Sequence, residues 1–348
     1  VKVVSVVGAR PQFVKLAPVA EALDAAGHEH VIVHTGQHYD DRMSGVFFAD
    51  LKIPTPDVNL GVGSGSHGVQ TGAILAGLDP VLAGYRPDWV LVYGDTNSTL
   101  AAAVAAVKLH LPVAHVEAGL RSWNRRMPEE YNRVLTDHAA DILLAPTRSA
   151  LTNLACEGLA GRAVLVGDVM TDVLLRVRET VTDDPLPIGE LAGDYVVATV
   201  HRPENTDHPI RLAAVVKALA AIDAPVVLVA HPRLIARAHE HGVVLDRGPI
   251  RVVDALPYPQ MVRLLLGCRG VVTDSGGLQK DAYVLGRVVT TLRTETEWPE
   301  TLDAGWNVVD VDLSRLPLLA TRGVPVAVRA EPFGDGDAAA RVVEVLQR

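Results

Sequence analysis

The sequence predicts an α/β fold of two doubly wound, Rossmann-like domains. Three observations carry this. Short β-branched runs alternate with longer stretches whose apolar residues recur at helical spacing, the pattern of βαβ units and a parallel sheet. The runs fall into two sets, and 348 residues exceed one ordinary domain of roughly 150. Hydrophobic residues make up 49% of the chain and aromatic ones only 4%. The core is therefore Val, Leu, Ala and Ile, which suits strands buried on both faces.

In chain order, the first set of strands is read in VKVVSVV, HVIVHT, DWVLVYG, PVAHVE, DILLAP and AVLVG. Helical patterns such as QFVKLAPVAEALDAAG and NSTLAAAVAAVKLH lie between them. The polar stretch RETVTDDPLPIGELAGD, with its Pro and Gly, marks the break between domains. The second set follows in DYVVATV, PVVLVA, IRVVDA, GVVTD, VVTTLR and NVVDVD. The expected domains are 1–168 and 169–334, with a last helix in 335–348 that is a candidate to pack back on the first.

Composition narrows the function. A formal charge of −9 argues against nucleic acid or an acidic membrane surface as partner. It leaves room for a small anion, because local Arg and Lys can dominate a cleft. Cys156 and Cys268 form no CxxC pair and read as small buried hydrophobes. The apolar run at the start is too short for a signal peptide, and Lys108 and His110 break the longest apolar tract. A cytoplasmic protein is the expectation. His28, His30 and His34 in GHEHVIVH lack partners of metal-site geometry, so no metal is expected there.

Five apolar runs stop on an acid or a histidine: Asp95, Glu117, His201, His231 and Asp274. In open parallel sheets ligands bind outside the carboxyl ends of the strands. A residue there is rigidly mounted and faces a crevice. Any one of them is also an ordinary cap or turn residue; it is the recurrence, with two sheets facing one cleft, that points to function. Two strand–turn–helix junctions suit phosphate. VVGARPQFVK sets Arg10 and Lys15 near a helix N-terminus, with Pro11 in the first turn. TDSGGLQKDAYVLG offers Ser275, Gly276 and Gly277, with Asp281 farther along the helix for ribose hydroxyls. Neither is GxGxxG, so no nicotinamide fingerprint is present. In MPEEYNRVLTDH, Glu129 and Arg133 are four apart and share a helix face, the spacing of an ion pair that would orient Glu129.

As a set, GARPQFVK, HTGQHYD, VYGDTNSTL, HVEAGLRS, MPEEYNR, HRPEN and TDSGGLQKDAYVLG resemble the non-hydrolysing UDP-N-acetylglucosamine 2-epimerases over about residues 3 to 310. The resemblance implies the GT-B type of two-domain fold with the ligand between domains, no cofactor, and a homodimer. It implies acid/base carboxylates at Asp95, Glu117 and Glu129, with Arg133 alongside the last and His201 as the histidine. It implies Arg10 and Lys15 at the diphosphate and reacting centre, and Ser275, Gly276, Gly277, Asp281 and Arg293 around UDP. The chain departs from the family in two places. Asp281 stands where members carry glutamate. QHYDDRMS and Ala73 replace residues tied to activation by a second substrate molecule. TLRTETEWPE, with GARPQF and HTGQHYD, leans toward a subgroup acting on UDP-2,3-diacetamido-glucuronate, whose carboxylate Arg125 or Arg126 would meet.

The implied chemistry explains the residue types. The sugar C2 proton is not acidic, so its removal needs a placed base. Loss of that proton with departure of UDP leaves a glycal; re-addition with a proton on the other face inverts C2. Two-face proton traffic needs at least two acid/base groups, and a strand end mounts each rigidly.

Overall fold

Alternating strands and helices build two parallel sheets in the computed structural model, which describes residues 1–37, 55–189, 191 and 194–348. The chain divides into two units: Val1–Val173 with Pro332–Arg348, and Leu174–Glu331.

In the first unit the strands are β1 (Lys2–Val7), β2 (Glu29–His34), β3 (Val58–Asn59), β4 (Trp89–Tyr93), β5 (Val113–Val116), β6 (Ile142–Ala145) and β7 (Ala163–Leu165). The helices are α1 (Arg10–Ala25), α2 (His67–Tyr85), α3 (Asn97–Lys108), α4 (Pro128–Ala139), α5 (Arg148–Cys156) and α6 (Val169–Val181), the last carrying the chain into the second unit. The sheet order is β3-β2-β1-β4-β5-β6-β7, parallel throughout. Strand β3 was not expected from sequence; two residues are too few to show a periodicity. The order reverses between β1 and β4, the switch point where such sheets bind ligands.

In the second unit the strands are β8 (Val196–Thr199), β9 (Val226–Ala230), β10 (Ile250–Asp254), β11 (Gly270–Thr273), β12 (Val288–Thr291) and β13 (Asn307–Val309). Its helices are α7 (Pro203–Thr206), α8 (Pro209–Ala220), α9 (Pro232–His241), α10 (Tyr258–Gly267), α11 (Gly276–Val284) and α12 (Leu316–Ala320). The order β10-β9-β8-β11-β12-β13 is again parallel, and its switch point lies between β8 and β11.

Each core is made by the apolar runs. In the first unit Val3, Leu16, Leu23, Leu91 and Leu144 pack with Val342, Val343 and Leu346 of the closing helix α13 (Ala338–Leu346). Asp172 accepts the first two N–H groups of α13, Ala338 and Ala339, at 3.1 and 2.7 Å. That satisfies donors a helix start leaves open. In the second unit Val196, Leu212, Leu228, Val272 and Leu316 form the corresponding cluster.

Candidate active site

In the first unit the site starts at the β1–α1 turn. Gln12 Oε1 accepts from the amides of Gly8 and Ala9 at 2.8 and 3.0 Å, and its Nε2 donates to Tyr93 O and Thr99 Oγ1 at 2.9 and 3.0 Å. The turn is thereby locked to the end of β4. Gly8 has no room for a side chain: a methyl group would collide with the hydroxyls of Thr35 and Ser98. From this fixed base, Lys15 on α1 reaches Glu117 at the end of β5, Nζ to Oε1 2.6 Å, with the side chains 12% and 10% exposed.

Glu117 takes φ 69°, in the left-handed region that side chains disfavour. Its amide and that of Ala118 both donate to Leu144 O, at 3.1 and 3.2 Å, and hold it there. Gly94, also left-handed at φ 62°, lies beside the pair; a methyl there would sit 3.0 Å from Lys15 Nζ. Beneath the turn, fully buried His115 uses both ring nitrogens, Nδ1 with Asp137 Oδ1 and Nε2 with Gly94 O, each 2.7 Å. Two acceptors are both satisfied only by a ring with two N–H groups. Asp137 Oδ2 accepts from Gly119 N at 3.1 Å and Arg121 Nη1 at 2.8 Å, and Arg121 pairs bidentately with Glu157 at 2.7 Å on both arms. Burial works to raise the Asp137 carboxyl, but the His115 hydrogen bond and charge, with Arg121 behind, hold it below the usual carboxylate range.

Asp95, just past β4, receives Arg133 Nη2 at 2.5 Å. Here the expected pairing changes. Arg133 binds Glu130 rather than Glu129, Nη1 to Oε2 2.7 Å. Glu130 also accepts from Ser122 N, Ser122 Oγ and Trp123 N at 3.0, 2.9 and 3.0 Å. Those amides of the β5–α4 loop need an acceptor inside, so Glu130 is drawn in. Glu129 is left half-buried, making no side-chain hydrogen bond or ion pair with the described residues. Arg10 opens α1, but its side chain lies outside the described residues, as do His38, Tyr39 and Asp40 of HTGQHYD and, beyond them, Asp41, Arg42, Met43 and Ser44 of QHYDDRMS.

The second unit builds its strand ends differently. Asp274, fully buried after β11, accepts from His201 N (3.1 Å), Arg202 N (3.0 Å) and Asn205 Nδ2 (3.1 Å), and lies 2.9 Å from His201 Nδ1. Burial pushes the Asp274 carboxyl up; the His201 hydrogen bond and charge outweigh it and leave the group below its ordinary value. His201 is 35% exposed, and its Nε2 bonds to none of the described residues. His231 stands 5.7 Å away, ring to ring, and caps α9 by accepting from Arg233 N at 3.2 Å.

Ser275 caps α11, its Oγ accepting from Leu278 N at 3.3 Å. Gly276 and Gly277 form the first turn. A methyl on Gly277 would meet nothing within 4 Å, so packing does not call for glycine there. One on Gly276 would lie 3.3 Å from Glu297 Oε2 and 3.7 Å from Arg293 Nη1. Arg293 pairs bidentately with Glu297 at 2.7 and 2.9 Å. Tyr258 donates to Asp281 Oδ2 at 3.2 Å. This end thus offers a helix N-terminus and a part-exposed histidine, a set suited to an anion, with the Arg293 charge balanced by Glu297. The first unit offers carboxylates seated against cations, a set suited to proton transfer.

Sequence reading missed Gln12, His115, Asp137 and Glu130, whose role is to hold others. Their partners are distant in sequence and no local spacing signals them. Among the described residues no three His, Cys, Asp or Glu side chains gather as a metal set, and no helix is long and apolar enough to cross a membrane.

A family model described as UDP-N-acetylglucosamine 2-epimerase matches residues 21–347. The chain is 44% identical to the UDP-2,3-diacetamido-2,3-dideoxy-D-glucuronate 2-epimerase of Pseudomonas aeruginosa, over 100% of this chain and 99% of that one. It is 37% identical to the UDP-N-acetylglucosamine 2-epimerase of Methanocaldococcus jannaschii, over 98% and 97% of the two chains. Among solved structures, the Methanocaldococcus jannaschii UDP-GlcNAc 2-epimerase in complex with UDP-GlcNAc and UDP superposes with TM-score 0.89 at 36% identity, covering 100% and 99%. The Neisseria meningitidis UDP-GlcNAc 2-epimerase bound to UDP-GlcNAc gives 0.87 at 27%, covering both chains fully.

Proposed function

The chain belongs to the UDP-N-acetylglucosamine 2-epimerase family and is an epimerase; from that premise we propose that it interconverts UDP-GlcNAc and UDP-ManNAc without releasing the free sugar. The carrying observation is the seating of two carboxylates at neighbouring strand ends, each against its own cation: Glu117 on Lys15 and Asp95 on Arg133. A carboxylate takes the C2 proton. The C–H electron pair becomes the C1=C2 bond of a glycal as the C1–O pair leaves with UDP. A second carboxylate returns a proton to the opposite face, and a diphosphate oxygen re-forms the C1–O bond. We assign Glu117, Asp95 and Glu129 to this proton traffic. Lys15, together with Arg10, meets the charge that grows on the leaving diphosphate.

The second unit holds UDP in this reading. The Ser275 hydroxyl, the N–H groups of Gly276 and Gly277 and the Nε2 of His201 take phosphate oxygens, Asp281 takes the ribose, and Arg293 lies by the uridine, with His231 next to His201. The neighbours solved with UDP-GlcNAc support this choice of substrate. A homodimer and a cytoplasmic setting belong to the same reading; light scattering of the purified protein tests the first.

Proton NMR with UDP-GlcNAc in D2O tests the reaction. Deuterium at C2 with both UDP sugars present is the expected result. Free ManNAc with UDP would replace this reading by a hydrolysing one. The 44% identity to the diacetamido-glucuronate enzyme favours one second reading, the same inversion on that uronate. C2 exchange with the uronate and none with UDP-GlcNAc decides for it. In that reading Arg125, which lies over the Tyr131 ring, and Arg126 supply the added cation.

A further inference from the structure

At the amino ends of the strands in the second unit, away from the carboxyl-end residues assigned above, lies a pocket of ≈ 310 Å³ lined by Arg269, Arg287, Arg322 and Asp194, with Gly286 and Gly323 at its edge. Arg269 immediately precedes β11, Arg287 precedes β12, and Asp194 precedes β8, so three neighbouring strands deliver them to one place. The charge is one-sided: three guanidiniums face a single carboxylate in a chain whose acids outnumber its bases, 41 to 32. None of the three forms an ion pair among the described residues. Apart from a bond of Arg322 Nη1 to Thr290 Oγ1 at 3.1 Å, their bonds go to main-chain carbonyls: Arg269 Nη2 to Thr321 O at 2.6 Å, Arg287 Nη1 to Cys268 O at 3.1 Å, and Arg322 Nη1 to Leu319 O at 2.6 Å and Nη2 to Val289 O, Trp306 O and Gly305 O at 2.7, 2.9 and 3.3 Å.

These carbonyls fix the guanidiniums in place but do not neutralise them. The Nε of Arg287 and of Arg322 are buried with no hydrogen-bond partner. Burial, with no carboxylate to offset it, brings Arg322 down to about 10. A native protein leaves few such donors unmet, and each one asks what completes it. The pocket mouth is open, since methyl groups on Gly286 and Gly323 would meet nothing within 4 Å.

We propose that this pocket is a second anion site, separate from the sugar-nucleotide site, and that it takes a compact anion bearing phosphate groups. Guanidinium forks match phosphate oxygens bidentately; Arg269 and Arg287 keep N–H groups for this and, held by the backbone, need little reordering on binding, while Arg322, whose end nitrogens are engaged, adds charge. More than one positive charge favours a multiply charged phosphate over a monocarboxylate.

The test is calorimetric titration of inorganic pyrophosphate into the protein saturated with UDP, so that the nucleotide site is already filled, with chloride matched for ionic strength. One site per chain is expected. R269Q should weaken it about tenfold and R269Q with R287Q about a hundredfold, as removal of charged hydrogen bonds does. UDP affinity and C2 exchange should stay as in the parent. Arg287 also holds Cys268 O, so the double variant risks misfolding; the exposed Arg269 then carries the test alone. Absence of pyrophosphate binding above the chloride control, or unaltered binding by folded R269Q, overturns the proposal.

Discussion

Both units place a histidine against a buried aspartate at the carboxyl ends of their strands, and they use the pair in opposite ways. In the first unit His115 is wholly enclosed and both its nitrogens are spent, on Asp137 and on Gly94 O. The pair is scaffolding that holds the β4 and β5 ends on which Asp95 and Glu117 stand. In the second unit Asp274 engages only Nδ1 of His201, and Nε2 is left toward solvent. One motif thus serves rigidity in one sheet and, in the proposed reading, recognition in the other. Exposure of the second nitrogen, rather than the presence of the pair, distinguishes the two uses.

The strongest way to sharpen this comparison is to remove charge from the first unit alone. Glu117→Gln or Asp95→Asn should lower kcat by about 10³–10⁴-fold, near the top of what a placed acid or base contributes. UDP affinity, measured by calorimetry, should change by no more than about twofold, because in the proposed reading the second unit carries UDP. Loss of UDP binding in a folded variant would break the division between the units.

The next test separates the two histidines. His115→Ala leaves Gly94 O without its donor and Asp137 with one cation fewer, in a fully buried place. A loss of about 2–4 kcal/mol in urea unfolding is expected. His201→Ala removes the histidine from buried Asp274 but leaves it the amides of His201 and Arg202 and Asn205 Nδ2, so a smaller loss of about 1 kcal/mol is expected, with kcat/KM lowered by about 10²-fold, the scale of losing one donor to a developing oxyanion. Equal destabilisation by both variants would mean that His201 is scaffolding too.

The contrast also explains what the sequence disclosed. The apolar runs that end on Asp95, Glu117, His201 and Asp274 are local, so strand ends and doubly wound order were legible, and β3 with its two residues was not. The partners of those ends come from elsewhere in the chain. Helical spacing alone pairs Arg133 with Glu129. The unsatisfied amides of Ser122 and Trp123 instead draw in Glu130, one residue on. Local pattern predicts where a side chain starts; the need to satisfy buried donors decides where it ends.

A third buried carboxylate gives the smallest effect and the cleanest check of what a cation does in these pairs. Asp172 accepts from the amides of Ala338 and Ala339 and from no histidine or arginine; the carboxylates of Asp168 and Asp337 act against its charge, and Arg341 acts on it only at a distance. Burial dominates, and its carboxyl is raised to about 6, whereas Asp137 and Asp274, each beside a histidine, are lowered. The signs for stability are therefore opposite. For Asp137 and Asp274 the contribution is present above the ordinary carboxylate range and is lost as pH falls through their lowered values, below about 4. For Asp172 the folded state holds its proton more tightly than the unfolded chain. Its contribution then declines as pH rises from about 4 to about 6 and is flat beyond. Asp172→Asn carries no such proton. The stability of the parent minus that of the variant, from urea unfolding at pH 4.5, 5.5, 6.5 and 7.5 (solution conditions chosen around about 6), should fall across the first two steps and then level. A difference constant with pH would show that the two amides, and not burial, govern Asp172, and that a buried carboxylate here needs no cation to stay charged.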